Sequence, residues 1–221
     1  GSIDVLINKD GFQAALDVSL DLGFIGKVGV KGYAAILATD EGPVFALKAS
    51  LYVDLGIDII NLRAGATLEI NTSKKNTYGE VPPNTIFKLA LHAPDDPAGY
   101  GTVTVLALKG TFKGEISIVE GLFKLEIEAS LKIGSLLNLD MALKVHSDGY
   151  FYLHAGVDLD INLAIIRLQI GASLTISSDP LFEFSVYGSL SVALDLGFFK
   201  IEQTLAGFSG LIRLTAASAQ L

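Results

Sequence analysis

The chain has 221 residues and a mass of 23.3 kDa; half of its residues are hydrophobic and 18% charged, with formal net charge −8, pI near 4.8 and mean hydropathy +0.50. That composition excludes disorder, its apolar runs fall far short of the ~18 residues of a helical membrane span, and its acidity argues against nucleic acid or an anionic membrane surface as partner. Surface scaling leaves room for a sizeable core, with about 70% of the unfolded surface buried on folding.

Gly1-Ser2, without Met, reads as the remnant of a cleaved tag, so the lack of a visible export signal carries no information. The next residues, IDVLI, lead into FQAALDVSLDLG at Phe12. There apolar and polar residues alternate with period two, the mark of a half-buried strand. The pattern returns at Phe45 (FALKASLYVDLG), Phe123 (FKLEIEASLKIG), Phe151 (FYLHAGVDLDIN) and Phe182 (FEFSVYGSLSVALDLG), with a weaker copy at Phe87. Return strands read NLRAGATLEIN at Asn61, LLNLDMALKVH at Leu136 and IRLQIGASLTIS at Ile166. A helix could be forced only onto Ser135–Val145, and its alternation favours strand.

Turn chemistry separates these runs: NKDG at Asn8, TDEGP at Thr39, HSDG at His146 and SSDP at Ser177, with single glycines such as Gly23 and Gly56 marking tighter reversals. Two longer loops start at Asn71 (NTSKKNTYGEVPPN) and His92 (HAPDDPAGYG). Strands joined by short turns are antiparallel neighbours. The predicted fold is therefore all-β: an antiparallel up-and-down meander of about twelve long strands, packed as a flattened barrel, sandwich or solenoid-like stack.

The chain also reads as internally duplicated. Segment 12–23 overlays 123–134, segment 45–70 overlays 151–176, and 86–91 overlays 181–186. IDVLI before Phe12 resembles EISIV before Phe123, so the chain begins partway through a unit. Residues 1–121 form the first repeat and 122–221 the second, within one continuous β domain. In pattern, though in no diagnostic motif, the meander resembles the lipid-conduit repeats of AsmA-like bacterial envelope proteins and the repeat segments of very large bacterial surface proteins.

No catalytic constellation emerges. Cysteine is absent, which removes disulfides, thiolate metal sites and thiol nucleophiles. His92, His146 and His154 stand outside any H-x-H or HExxH pair and read as structural or solvent-exposed. No G-x-S-x-G, GxGxxG or Walker pattern occurs. Asp158 with Asp160, Glu126 with Glu128, and Asp17 with Asp21 share strand faces, a spacing open to glycoside hydrolysis or calcium but equally expected of any acidic face, here interleaved by Lys124 and Lys132. Asp95-Asp96 and Asp40-Glu41 are the better calcium candidates. Yet they come as adjacent pairs, and Pro94 and Pro97 stiffen the first, so folding is expected to be metal-independent. Asn71-Thr72-Ser73 is a glycosylation sequon.

Phe12, Phe45, Phe123, Phe151 and Phe182 begin alternate strands, so they form a row at one end of the sheet: a core layer, an aromatic belt or the mouth of a lipid groove. The apolar face points inward in a soluble protein and outward in a membrane barrel. Absent Trp, and Tyr52, Tyr152 and Tyr187 on the polar face, favour the soluble arrangement. The leading expectation is a non-enzymatic structural or interaction module of a larger exported bacterial repeat protein, partnered by neighbouring repeats or another protein. A carrier of lipid or another apolar ligand comes second, and a membrane-embedded β-barrel third. No catalytic, cofactor or metal residue and no cofactor is assigned, and the ligand-binding residues are unassigned.

Overall fold

The computed structural model describes residues 1–57, 59–163, 166–179, 181–195 and 200–215. Ile165 in the repeat overlay, Pro180 in the SSDP turn, Gly197 closing the Phe182 run, and residues 216–221 lie outside them. The described residues form fourteen strands. In chain order these are β1 (Ser2–Asn8), β2 (Gly11–Asp21), β3 (Gly26–Thr39), β4 (Gly42–Ile57), β5 (Ile60–Asn71), β6 (Thr85–His92), β7 (Gly101–Val105), β8 (Leu108–Val119), β9 (Leu122–Ile133), β10 (Leu137–His146), β11 (Phe151–Leu163), β12 (Ile166–Ser177), β13 (Leu181–Asp195) and β14 (Lys200–Thr215). A 3-10 turn at Gly23–Ile25 joins β2 to β3.

The sheet is an antiparallel meander with its strands in sequence order, except that β7 lies off the path and pairs with β5 and β8. The split between β6 and β7 accounts for one of the strands beyond the twelve or so expected. The loop from Ala93 to Tyr100 interrupts what would be one strand, so β6 pairs with Gly65–Asn71 of β5 and β7 with Ile60–Arg63. Gly56 is not a reversal, contrary to the sequence reading. It lies inside β4 opposite Asn61, because the next residue, Ile57, still pairs with Ile60.

The chain divides into two compact units. One comprises Gly1–Leu106, Thr111–Ile127 and His146–Asp148; the other comprises Ala107–Gly110, Glu128–Val145 and Gly149–Leu221.

Register fixes the two faces of each unit. In the first unit Ile7, Phe12, Ile36 and Phe45 lie in one cross-strand line, as do Val18, Val30 and Leu51. Side chains alternate across a strand, so the whole of Phe12–Leu20, Val28–Ile36, Phe45–Ile57 and Ile60–Ile70, taken every second residue, is one apolar face. It carries no charged or hydrogen-bonding side chain. In the second unit the same holds for every second residue of Leu137–Val145, Phe151–Ile161, Ile166–Ile176 and Phe182–Val192.

Burial runs opposite to a soluble sandwich. Among the described residues, every buried strand side chain that is a core hydrophobic or a polar group lies on the charged face: Ala35, Leu37, Val44, Ala46, Glu69, Asn71, Thr85, His92 and Ser117 in the first unit, and Ser191 in the second. The apolar face stays open, with Ile7 75%, Leu20 60% and Ile36 58% exposed. The single hydrophobic cluster among the described residues, Ala35, Leu37, Val44 and Ala46 with Tyr33 and Tyr78 against it, sits on the charged face. It is covered by the loop from Thr72 to Asn84, whose Ser73 and Val81 are fully buried.

Candidate functional site

The charged face of the first unit holds a groove of about 640 Å3, lined among others by Lys27, Lys48, Tyr52, Glu69, His92 and Asp95. Its lysines and carboxylates are paired. Lys48 Nζ lies 2.9 Å from Glu80 and 3.6 Å from Glu69, and Lys88 lies 3.3 Å from Glu69. A carboxylate as enclosed as Glu69 requires partners of this kind, since an unpaired buried charge is strongly disfavoured. His92 is built in: its Nδ1 donates to the Ala93 carbonyl at 2.5 Å, and Nε2 faces the Thr67 hydroxyl at 2.8 Å, which meets Ser50 at 3.2 Å.

The other histidines are equally engaged. His146 Nε2 lies 3.0 Å from Glu126, which also pairs with Lys124 at 3.1 Å. In the second unit His154 bridges Asp140 (2.8 Å) and Thr175 (2.9 Å) across three strands. This carboxylate–imidazole–hydroxyl row is an arrangement of catalytic type that sequence reading missed, because Asp140, His154 and Thr175 become neighbours only through register. It lacks what acyl transfer needs. The N–H groups around Thr175 belong to strands paired on both sides, so no pair of donors is free to hold an oxyanion.

The carboxylate pairs do not converge on a common substrate position. Asp158 accepts from the Tyr187 hydroxyl at 2.6 Å, whereas Asp160 is held by Arg167 (3.0 and 2.6 Å) and Gln169 (3.2 Å). Glu128 pairs with Lys144, Asp17 with Lys31 and Asp21 with Lys27. Asp95 pairs with Arg63 at 3.6 Å, while Asp96 accepts from the Ala98 N–H within its own loop. Glu41 binds the Thr72–Asn84 loop through the Lys74 N–H (2.7 Å), whereas no partner is described for Asp40. Among the described residues no group of three or more His, Asp or Glu side chains is placed to hold a metal.

The sequon is closed in the folded state. Asn71 is fully buried, donates to the carbonyls of Asn76 and Val81 and accepts from the Ser73 N–H, so its amide cannot carry a glycan. Tyr52 and Tyr187 have a packing role on the charged face. Each lies directly opposite a glycine, Gly29 and Gly171, where a Cβ would collide with the ring. No family model, no curated protein and no solved structure matches the chain.

Proposed function

We propose that this chain works in a lipid membrane, with its apolar sheet face against acyl chains and its charged face lining a water-filled space. The observation that carries the reading is the uninterrupted apolar face, combined with the burial of polar groups on the opposite side. On β4 that face runs from Phe45 to Ile57. Twelve steps at roughly 3.3 Å give about 40 Å. At a barrel tilt of about 45° this spans about 28 Å, close to the ~30 Å hydrocarbon core. Ion pairs such as Lys48–Glu69 then face water, as they do inside membrane barrels. The acidic net charge is no obstacle, because the contact is apolar and needs no headgroup attraction.

Two of the three tyrosines that weighed against a membrane, Tyr52 and Tyr187, are accounted for by the glycines opposite them, and Phe12 and Phe45 stand in one line, with Ile36 between them, at one end of the first unit. Spanning a bilayer with strands requires every backbone group to be paired. In the membrane, therefore, the outer edges of β1 and β14 must pair with each other or with further strands. Purification tests the reading. The protein is expected to need detergent or lipid to remain monodisperse, and a monodisperse preparation in buffer alone would contradict it.

A second reading, the structural repeat module, draws on a different observation. The segments that overlay in sequence fall on β2 and β9, β4 and β11, β5 and β12, and β6 and β13, always seven strands apart. A seven-strand unit repeated in tandem would place a neighbouring unit beside each end of the sheet. Extending the chain at either terminus is then expected to raise its stability; no gain would count against it.

A further inference from the structure

We infer that the groove on the charged face of the first unit is a binding site for a neutral saccharide. Nothing about the site depends on what covers the opposite, apolar face.

Register builds the groove. Gly29, Tyr52, Gly65 and His92 stand directly opposite one another on β3, β4, β5 and β6. Glycine and ring thus alternate along one line: Tyr52 leans over Gly29 and His92 over Gly65, and a Cβ at either glycine would strike the ring. The next line on the same face is small, with Ser50, Thr67 and Ala90 side by side. Ion pairs flank these two lines, Asp54 and Asp95 with Arg63 on one side, Lys48 and Lys88 with Glu69 on the other. Roughly 20 Å of strand separates Asp54 from Lys48 on β4. Short side chains between long ones leave the groove, and its volume of about 640 Å3 falls within the roughly 300–1,000 Å3 of small-molecule sites.

Charge sets the class of ligand. Four lysines (Lys27, Lys31, Lys48 and Lys88) and four carboxylates (Asp54, Glu69, Asp95 and Glu115) line the groove. Each of them is held in an ion pair. An anion or a cation would have to break one of these pairs, leaving a charge without its partner. A neutral ligand rich in hydroxyls can donate to the carboxylates and accept from the ammonium groups with the pairs intact. Tyr52 supplies the other half of sugar recognition, a flat apolar ring with a polar tip on which the C–H face of a pyranose can stack. One side of the ring is backed by Gly29, and no partner is described for its hydroxyl. The overlaid position in the second unit is closed: Asp158 stands opposite Gly171, and Tyr187 donates to it at 2.6 Å. In the first unit His92 takes the place of Tyr187, with its two nitrogens engaged by Thr67 and the Ala93 carbonyl, so Tyr52 is left to the groove.

Saturation-transfer NMR tests the site on the full chain in dodecylphosphocholine micelles, whose head group carries no sugar. The probes are maltotriose, cellotriose and chitotriose, with trigalacturonate as the anionic control and glycine betaine as the zwitterionic one. Expected is saturation transfer to the ring C–H protons of at least one neutral trisaccharide. Tyr52→Phe, which keeps the ring, should retain it, and Tyr52→Ala should weaken the affinity about tenfold. Ser50→Lys, which fills the groove from the line of small residues, should abolish binding. No transfer to any of the neutral sugars, a preference for trigalacturonate or betaine, or equal binding in the unchanged chain, Tyr52→Ala and Ser50→Lys would overturn the inference. Should Tyr52→Ala fail to fold, Ser50→Lys carries the comparison. None of these outcomes bears on the lipid reading, which the need for detergent decides separately.

Discussion

Gly29 and Tyr52 show how single residues shape the charged face. The ring lies flat over the glycine directly across the strand, shielding backbone that would otherwise be open. Gly29→Val forces the ring away and is expected to cost about 1–3 kcal/mol. In a Tyr52→Ala background the same change should cost much less, because the clash is gone. Equal costs in the two backgrounds, measured by denaturant unfolding in detergent, would dissociate the pair. The acidic loop residues invite a calcium assay. Asp95 is already paired with Arg63 and Asp96 with its own loop, so melting midpoints with excess chelator and with added calcium are expected to agree within about 5 °C. A larger shift would make these two residues ligands.

At the scale of elements, the strands were legible and their covering was not. Period two at Phe12, Phe45, Phe123 and Phe151 located β2, β4, β9 and β11 because alternation is a local property. The burial of Ala46 and His92 on the charged face was invisible, since it depends on loops that fold back over strands distant in sequence. The Thr72–Asn84 loop is one such cover, pinned by Glu80, whose carboxyl is held below its usual range by the Lys48 hydrogen bond and charge. A depressed carboxyl stabilises fully above its ordinary value, and that contribution fades as pH falls through the folded value. Amide protection in the loop, corrected for the intrinsic pH dependence of exchange, should therefore fall in acid, and Glu80→Gln should abolish that pH dependence. The apolar face makes the sharper demand. If the face meets lipid as proposed, Leu51→Lys places a charge among acyl chains and is expected to cost about 2–4 kcal/mol near the bilayer centre. Ser50→Lys, one residue away on the charged face, should cost little. Similar folding yields for the two in lipid would contradict the assignment of faces.

For the whole molecule, the sequence carried the antiparallel meander and its two faces. It did not carry the environment of the apolar face, because alternation is identical whether that face meets a dry core, a partner or lipid. The Asp140–His154–Thr175 row was hidden for a related reason, as register between strands is set by the fold. The most direct measurement uses the absence of cysteine, which allows nitroxides to be placed singly from Leu47 to Asp54 on β4 in lipid vesicles. Labels at Leu47, Ala49, Leu51 and Val53 are expected to collide preferentially with oxygen, and those at Lys48, Ser50, Tyr52 and Asp54 with a water-soluble nickel complex. A flat profile, or one with the two sets exchanged, would contradict a lipid-facing apolar sheet.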